Sequence, residues 1–111
     1  MLPQNKRLSR RDLNFCITTG KTLRFPNFYL KFLPNNFNFS RFGIVTSTKL
    51  AKSAVVRNKL RRRIYTELRI MKYELCYDII FFPQKSMLNL EHEEIGIVVN
   101  KALSEISNRS A

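Results

Sequence analysis

The stretch Lys49–Lys72, KLAKSAVVRNKLRRRIYTELRIMK, reads as one amphipathic helix and carries much of the chain's positive charge. At about 100° per residue, Leu60, Ile64, Leu68 and Met71 fall on one side, the face expected toward a core. Arg57, Arg61 and Tyr65 follow one another a turn apart along a border of that face, while Asn58, Arg62, Thr66 and Arg69 lie further round toward solvent. A charged face that meets only water sits opposite the apolar stripe. Arg57 and Arg61 instead lie against it, so if the helix covers a sheet they line a groove. Ser53 is placed to cap the helix, and Val56 at the third helical position rules out a capping box.

Upstream, Arg10–Thr18 is expected as a short helix with apolar Leu13 and Ile17 and a stop at Gly20; Lys6, Arg7, Arg10 and Arg11 precede or open it. Lys21–Phe25 and Asn27–Leu33 follow as strands. Phe28, Leu30 and Phe32 share one face of the second, and Tyr29, Lys31 and Leu33 the other. An aromatic beside a lysine on an outer face suits nucleic acid, although for this segment alone a half-buried strand with an ordinary mixed face is the better reading. Pro34-Asn35-Asn36 reads as a turn, and Arg41–Ser47 as a third strand forming a hairpin with the second; Gly43 marks a bulge or a close backbone approach. Downstream, Cys76–Phe82 is expected as a strand whose run Ile79-Ile80-Phe81-Phe82 is apolar on both faces, which fits a strand covered on both sides. Leu90–Ser107 completes the chain as a second long helix with Asn89 as cap. Ile95, Val98, Val99, Ala102 and Ile106 form its core face, and Glu91, Glu93 and Glu94 stand at the positive end of its dipole.

A chain of 111 residues, 44% hydrophobic and 12% aromatic, is expected to fold as a single domain over 1–111, with 1–8 and 108–111 as its flexible ends. Its net charge of +12 is unevenly placed: residues 1–72 hold 17 Lys/Arg against 2 Asp/Glu, and residues 73–111 hold 3 against 6. The binding surface is therefore expected in the first two thirds, with nucleic acid the leading polyanion. The adjacent Arg61-Arg62-Arg63 repel one another unless a partner neutralises them, and guanidinium groups offer phosphates a bidentate geometry that lysine lacks. The N-terminus lacks the apolar core of a signal peptide and no apolar run approaches membrane-spanning length, so a cytoplasmic protein is expected. Cys16 and Cys76, far apart and outside any CxxC, read as two reduced, buried thiols.

Catalytic constellations are missing. His92 is the sole histidine and sits among glutamates; Asp12 and Asp78, the only aspartates, are too few for a two-metal nuclease site. No catalytic or metal-ligating residue is therefore assigned. A DNA reader would need base-reading residues at the start of the arginine helix, and Ser53-Ala54-Val55-Val56 is poor for that.

RFGIVTSTK at Arg41–Lys49 and AVVRNKLRR at Ala54–Arg62 resemble the protein subunit of bacterial ribonuclease P, with its Arg-Asn pair followed by Lys/Arg-Arg on a long helix. KRLSRRDLNF before a glycine, YLKFLPN, CYDIIFF and the C-terminal helix occur in the same order, so the resemblance spans nearly the whole chain. It implies a two-layer α+β sandwich ordered α-β-β-β-α-β-α, with a four-stranded sheet and a left-handed βαβ crossover, as in ribosomal-protein-like folds. It also implies an accessory subunit of an endoribonuclease whose RNA is catalytic and chiefly holds the Mg²⁺. The partners are that RNA and precursor tRNA, with no membrane and no required protein partner. By resemblance the RNA-binding residues are Lys49, Lys52, Arg57, Asn58, Arg61, Arg62, Tyr65 and Arg69. The cleft for the single-stranded 5′ leader is drawn from Leu13, Phe15, Ile17, Tyr29, Lys31, Arg57, Arg61 and Tyr65. Tyr65 stands where the family usually has a third basic residue; Leu13, Ile17 and Lys31 stand at usually aromatic positions. The rival reading is a general or ribosomal RNA-binding protein without a processing role.

Overall fold

The computed structural model describes residues 6–70 and 76–110. Its elements run α1 (Arg10–Thr19), β1 (Lys21–Arg24), β2 (Phe28–Pro34), β3 (Arg41–Ile44), α2 (Ala54–Ile70), β4 (Tyr77–Pro83), a short 3₁₀ segment (Lys85–Asn89) and α3 (His92–Ser110). The order expected from the sequence is the one observed. Met71 and Lys72, the last positions of the opening stretch, lie outside the described residues.

The four strands form one mixed sheet in the order β1-β2-β4-β3. β3 does not form a hairpin with β2; it pairs in parallel with β4, which itself pairs antiparallel with β2. The reason is burial. Ile79, Ile80 and Phe81 are all fully enclosed, which requires a central place, whereas RFGI is short and is left at the edge. The 35–40 connection is fastened under the start of β4, where the Asn35 N–H donates to the Cys76 carbonyl at 2.9 Å.

One sheet face, with Phe28, Leu30, Phe32, Phe42, Ile44, Ile79 and Phe81, forms the core with Leu60, Ile64 and Leu68 of α2 and Ile95, Val99, Ala102, Leu103 and Ile106 of α3. Both helices thus bury the stripes their periodicity defines. α3 does not begin at Asn89, which ends the 3₁₀ segment; instead the Glu94 carboxylate accepts the Glu91 N–H at 3.0 Å, one turn further on.

α1 crosses part of the opposite face. Ser9 caps it by accepting the Asp12 N–H at 3.2 Å, and Asp12 in the first turn offsets the unfavourable Arg10 and Arg11. Two glycines permit the close fit. A Cβ on Gly20 would stand 2.6 Å from the Cys16 carbonyl oxygen and 3.0 Å from that of Phe32; one on Gly43 would stand 2.6 Å from Leu13 Cδ1. Gly20 has φ −70°, so it is contact and not a left-handed turn that demands glycine there. Gly43 is accordingly a site of close approach. Ahead of α1, Arg7 bridges Phe42, and the Leu8 N–H donates to the Phe42 carbonyl at 2.8 Å.

A buried ion network joins α1 to the sheet. Arg41 grips Asp78 with two bonds, Nε to Oδ1 at 2.9 Å and Nη2 to Oδ2 at 2.7 Å, and reaches Asp12 through Nη1 at 2.9 Å; Asn35 adds a bond to Asp78 at 2.9 Å. The bonds to Asp78 are the chief cause that raises the Arg41 pKa further above its ordinary value. Removing Asp78 strands a largely buried guanidinium, whereas the Asp12 side chain is 40% exposed. In urea titration Asp78→Ala is expected to lose about 3–5 kcal/mol, and Asp12→Ala no more than about 1 kcal/mol.

The thiols differ from expectation. Cys16 is fully buried, but Cys76 is exposed because it precedes β4 and lies outside the sheet. Burial, reinforced by Asp78 and opposed by Lys31, pushes the Cys16 thiol up to about 11. At pH 8 a thiol reagent should therefore label Cys76 alone in the native chain and reach Cys16 only after denaturation. The neutral Cys16 thiol stabilises the fold fully below its unfolded value of 9.0, and this contribution falls as pH rises toward 11.

Candidate nucleic-acid interface

The seam of α2 is built as its periodicity requires: Arg57, Arg61 and Tyr65 are half-buried, and Asn58, Arg62 and Arg69 are exposed. Each arginine on the seam is also positioned. Arg57 Nη1 donates to the carbonyls of Ala51 at 2.7 Å and Lys52 at 3.0 Å, bracing the loop that presents exposed Lys49 and Lys52. Arg61 Nη1 reaches Thr46 Oγ1 at 3.5 Å, and its Nη2 is hydrogen-bonded to Asn58 Oδ1 one turn back on α2. Here the Arg-Asn pair works through orientation: Asn58 aims Arg61, and each guanidinium keeps further N–H donors for an oxyanion. On the other side of α2, Lys59, Arg62 and Arg63 line a groove against Leu88, Leu90 and His92, with Arg63 paired to Glu67 at 3.6 Å.

Tyr65 packs against the core at the open edge of β3. Arg61, Arg7 and the Ile44 backbone all favour its ionised form; burial outweighs all three and raises its pKa. This position therefore serves the sheet edge, and Arg7 from the N-terminal segment supplies positive charge beside it. Sequence reading placed Arg7 only among the residues before α1, because its neighbours on β3 and α2 are remote along the chain.

The sheet face not covered by α2 and α3 completes the site. Lys31 donates through Nζ to the Ile17 carbonyl at 2.9 Å, neutralising the C-terminal end of α1, so its ammonium anchors that helix. Leu13 lies over Gly43, and Leu13 and Ile17 are both half-buried. Tyr29, also half-buried, belongs to the same sheet face and stacks on Phe82 with ring centroids 4.6 Å apart and planes 5° from parallel; the Arg24 guanidinium lies 5.4 Å from the Tyr29 centroid. Arg24 and Phe82 were not foreseen. Alternation along β4 could have flagged Phe82, but matching it to Tyr29 needs the strand register. Phe15, by contrast, is 60% exposed on the other flank of α1, where it borders a shallow pocket with Ser9, Arg11, Asp12 and Thr18. The helical phase that turns Leu13 and Ile17 toward the sheet turns Phe15 away, so the structure does not bring it to the other cleft residues.

Among the described residues no three His, Cys, Asp or Glu side chains come together to hold a metal ion. Both aspartates are held by Arg41, so the carboxylates do not fit a Mg²⁺ site. A basic helix seam beside a half-covered aromatic sheet face can neutralise phosphates and stack bases. The fold and site thus define an α+β RNA-binding module.

Comparison with known proteins gives the family. The Ribonuclease P family model matches residues 2–107. A ribonuclease P protein component of Mycoplasma mycoides is 30% identical over 108 residues, covering 93% of this chain and 98% of the relative. The Thermotoga maritima RNase P protein superposes with a TM-score of 0.77 at 29% identity, covering 92% of this chain and 96% of that one. A Staphylococcus aureus RNase P protein, with a TM-score of 0.81 at 24% identity over 91% of this chain and 94% of that one, shares the fold. The chain belongs to the ribonuclease P protein family.

Two substitutions separate charge from aim. Arg61→Ala should reduce the slope of log K against log salt by about 0.7–0.9 for one lost phosphate contact. Asn58→Ala should leave the slope unchanged while weakening RNA binding by roughly 0.5–1.5 kcal/mol, because it removes only the bond that orients Arg61.

Proposed function

We infer that this protein is the RNA-binding accessory subunit of the ribonuclease P ribonucleoprotein, promoting removal of the 5′ leader from precursor tRNA. The observation that carries the reading is the seam of α2, with Arg61 aimed by Asn58 and Thr46 beside an open sheet face, in a chain of this family. The RNA subunit is catalytic; the protein binds that RNA and the precursor.

In our reading, Lys49, Lys52, Arg57, Arg61 and Arg7 neutralise phosphates along the β3 edge. Leu13, Ile17, Tyr29 and the Lys31 stem line the channel for the unpaired leader, and Tyr65 holds the edge beside it. Exposed Arg62 and Arg69 face the catalytic RNA. Phosphate neutralisation by these side chains reduces the counterions the assembled RNA must recruit. We assign the Mg²⁺ of the reaction to the RNA subunit, consistent with a protein whose aspartates are committed to Arg41. No helix of the described residues is long and apolar enough to cross a membrane; the cytoplasm is the compartment we propose.

The test is reconstitution. Mixed with a bacterial ribonuclease P RNA at low Mg²⁺, the chain should restore leader removal and bind precursor tRNA more tightly than mature tRNA. Equal affinity for the two would instead mark a general RNA-binding protein.

A further inference from the structure

One row of residues runs across β1, β2 and β4 to Val45, just past the end of β3, on the sheet face opposite the main core. Arg24 of β1 stands opposite Tyr29 of β2, and Tyr29 opposite Phe82 of β4. Val45 continues the row beside β4: Ile44 pairs with Phe81, and the Val45 N–H donates to the Phe81 carbonyl at 2.9 Å. The next residue, Thr46, holds Arg61. The row therefore reads cation, ring, ring, aliphatic side chain, cation.

The ring geometry gives the row a direction. The Tyr29–Phe82 centroid separation of 4.6 Å is close to the spacing of neighbouring strands, and the planes are 5° from parallel. Both rings stand on edge with their faces turned along the row. Tyr29 has Phe82 on one face and the Arg24 guanidinium over the other. Phe82 has Tyr29 on one face; on its other side the register places Val45 next in the row, and Thr46 beside it holds Arg61. Val45, a short and half-buried side chain, stands at the next position of the row. Every nucleobase has a π-face that can stack on a ring such as Phe82, and it needs its phosphate near a cation.

We propose that one unpaired leader base stacks on the free face of Phe82, above Val45, with an adjoining phosphate on Arg61. This rests on the reading that the leader crosses this face, and it adds Phe82 as the stacking platform and Arg24 as the group that stiffens it from behind. Tyr29, which backs the platform, lies two residues along β2 from Lys31, whose ammonium is occupied by the end of α1.

The experiment uses the holoenzyme reconstituted with a bacterial ribonuclease P RNA and precursor tRNAs carrying a fluorescent purine analogue at one leader position at a time. One position should be quenched by stacking. Phe82→Leu should restore its fluorescence and weaken precursor binding about ten-fold, within the range of one base–aromatic stack; Phe82→Tyr should retain both quenching and affinity. If Phe82→Leu changes neither while the unmodified holoenzyme still prefers leader-bearing RNA, the platform is overturned and the functional reading stands. If the unmodified holoenzyme shows no such preference, the functional reading falls and the platform with it.

Discussion

Arg41 is the point on which the arrangement turns. One guanidinium reaches Asp78 at the start of β4 and Asp12 in the first turn of α1, and it opens β3 itself. A charge this enclosed is tolerated only when its donors are matched, and the two-bond grip on Asp78 supplies that match. The geometry that follows is specific. α1 is held across one end of the sheet, at Gly43, Cys16 and Lys31, and the end with Tyr29 and Phe82 is left half-covered. The open channel is thus a by-product of where an ion pair pins a helix.

The two faces of the sheet divide the work. The core face receives α2 and α3, which fixes α2 along the edge of β3 and carries its seam of Arg57, Arg61 and Tyr65 to the border of the open face. Cations therefore arrive at the channel from the far side of the sheet, while apolar and aromatic groups come from α1 and the strands. The proposed interface therefore pairs a long-range, salt-sensitive attraction with a short-range stacking surface, and different elements supply the two.

The parts legible in the sequence were those governed by local repetition. Leu60, Ile64 and Leu68 define the buried stripe of α2 by spacing alone, and the same spacing places Arg57 and Arg61 on its border. Ile79-Ile80-Phe81 signals a central strand for the same reason. The hairpin expected for β3 failed because strand partners are chosen by competition among remote segments, and β4 competes better for β2. Phe15 lies three residues from Asp12 and two from Leu13, yet faces away from the channel; only the orientation of α1 on the sheet settles that. Arg7, Arg24 and Phe82 gain their roles from register and edge contacts that no periodicity encodes. Tyr65 is the instructive position: resemblance asked for a basic residue there, and packing against the core explains an aromatic ring.

The outer edge of β3 has a further consequence. An outer strand with open backbone groups invites pairing with another molecule of the same kind, and hazard is greatest in a chain synthesised before its RNA is at hand. Here the vulnerable side of β3 is occupied by Arg7 and Leu8. The occupying segment is strongly cationic, so two uncomplexed copies repel at the very border where they could otherwise join. A nucleic acid that settles on Arg7 and Arg61 removes this repulsion and at the same time covers the border itself. Protection against self-association passes from charge to partner as the complex forms.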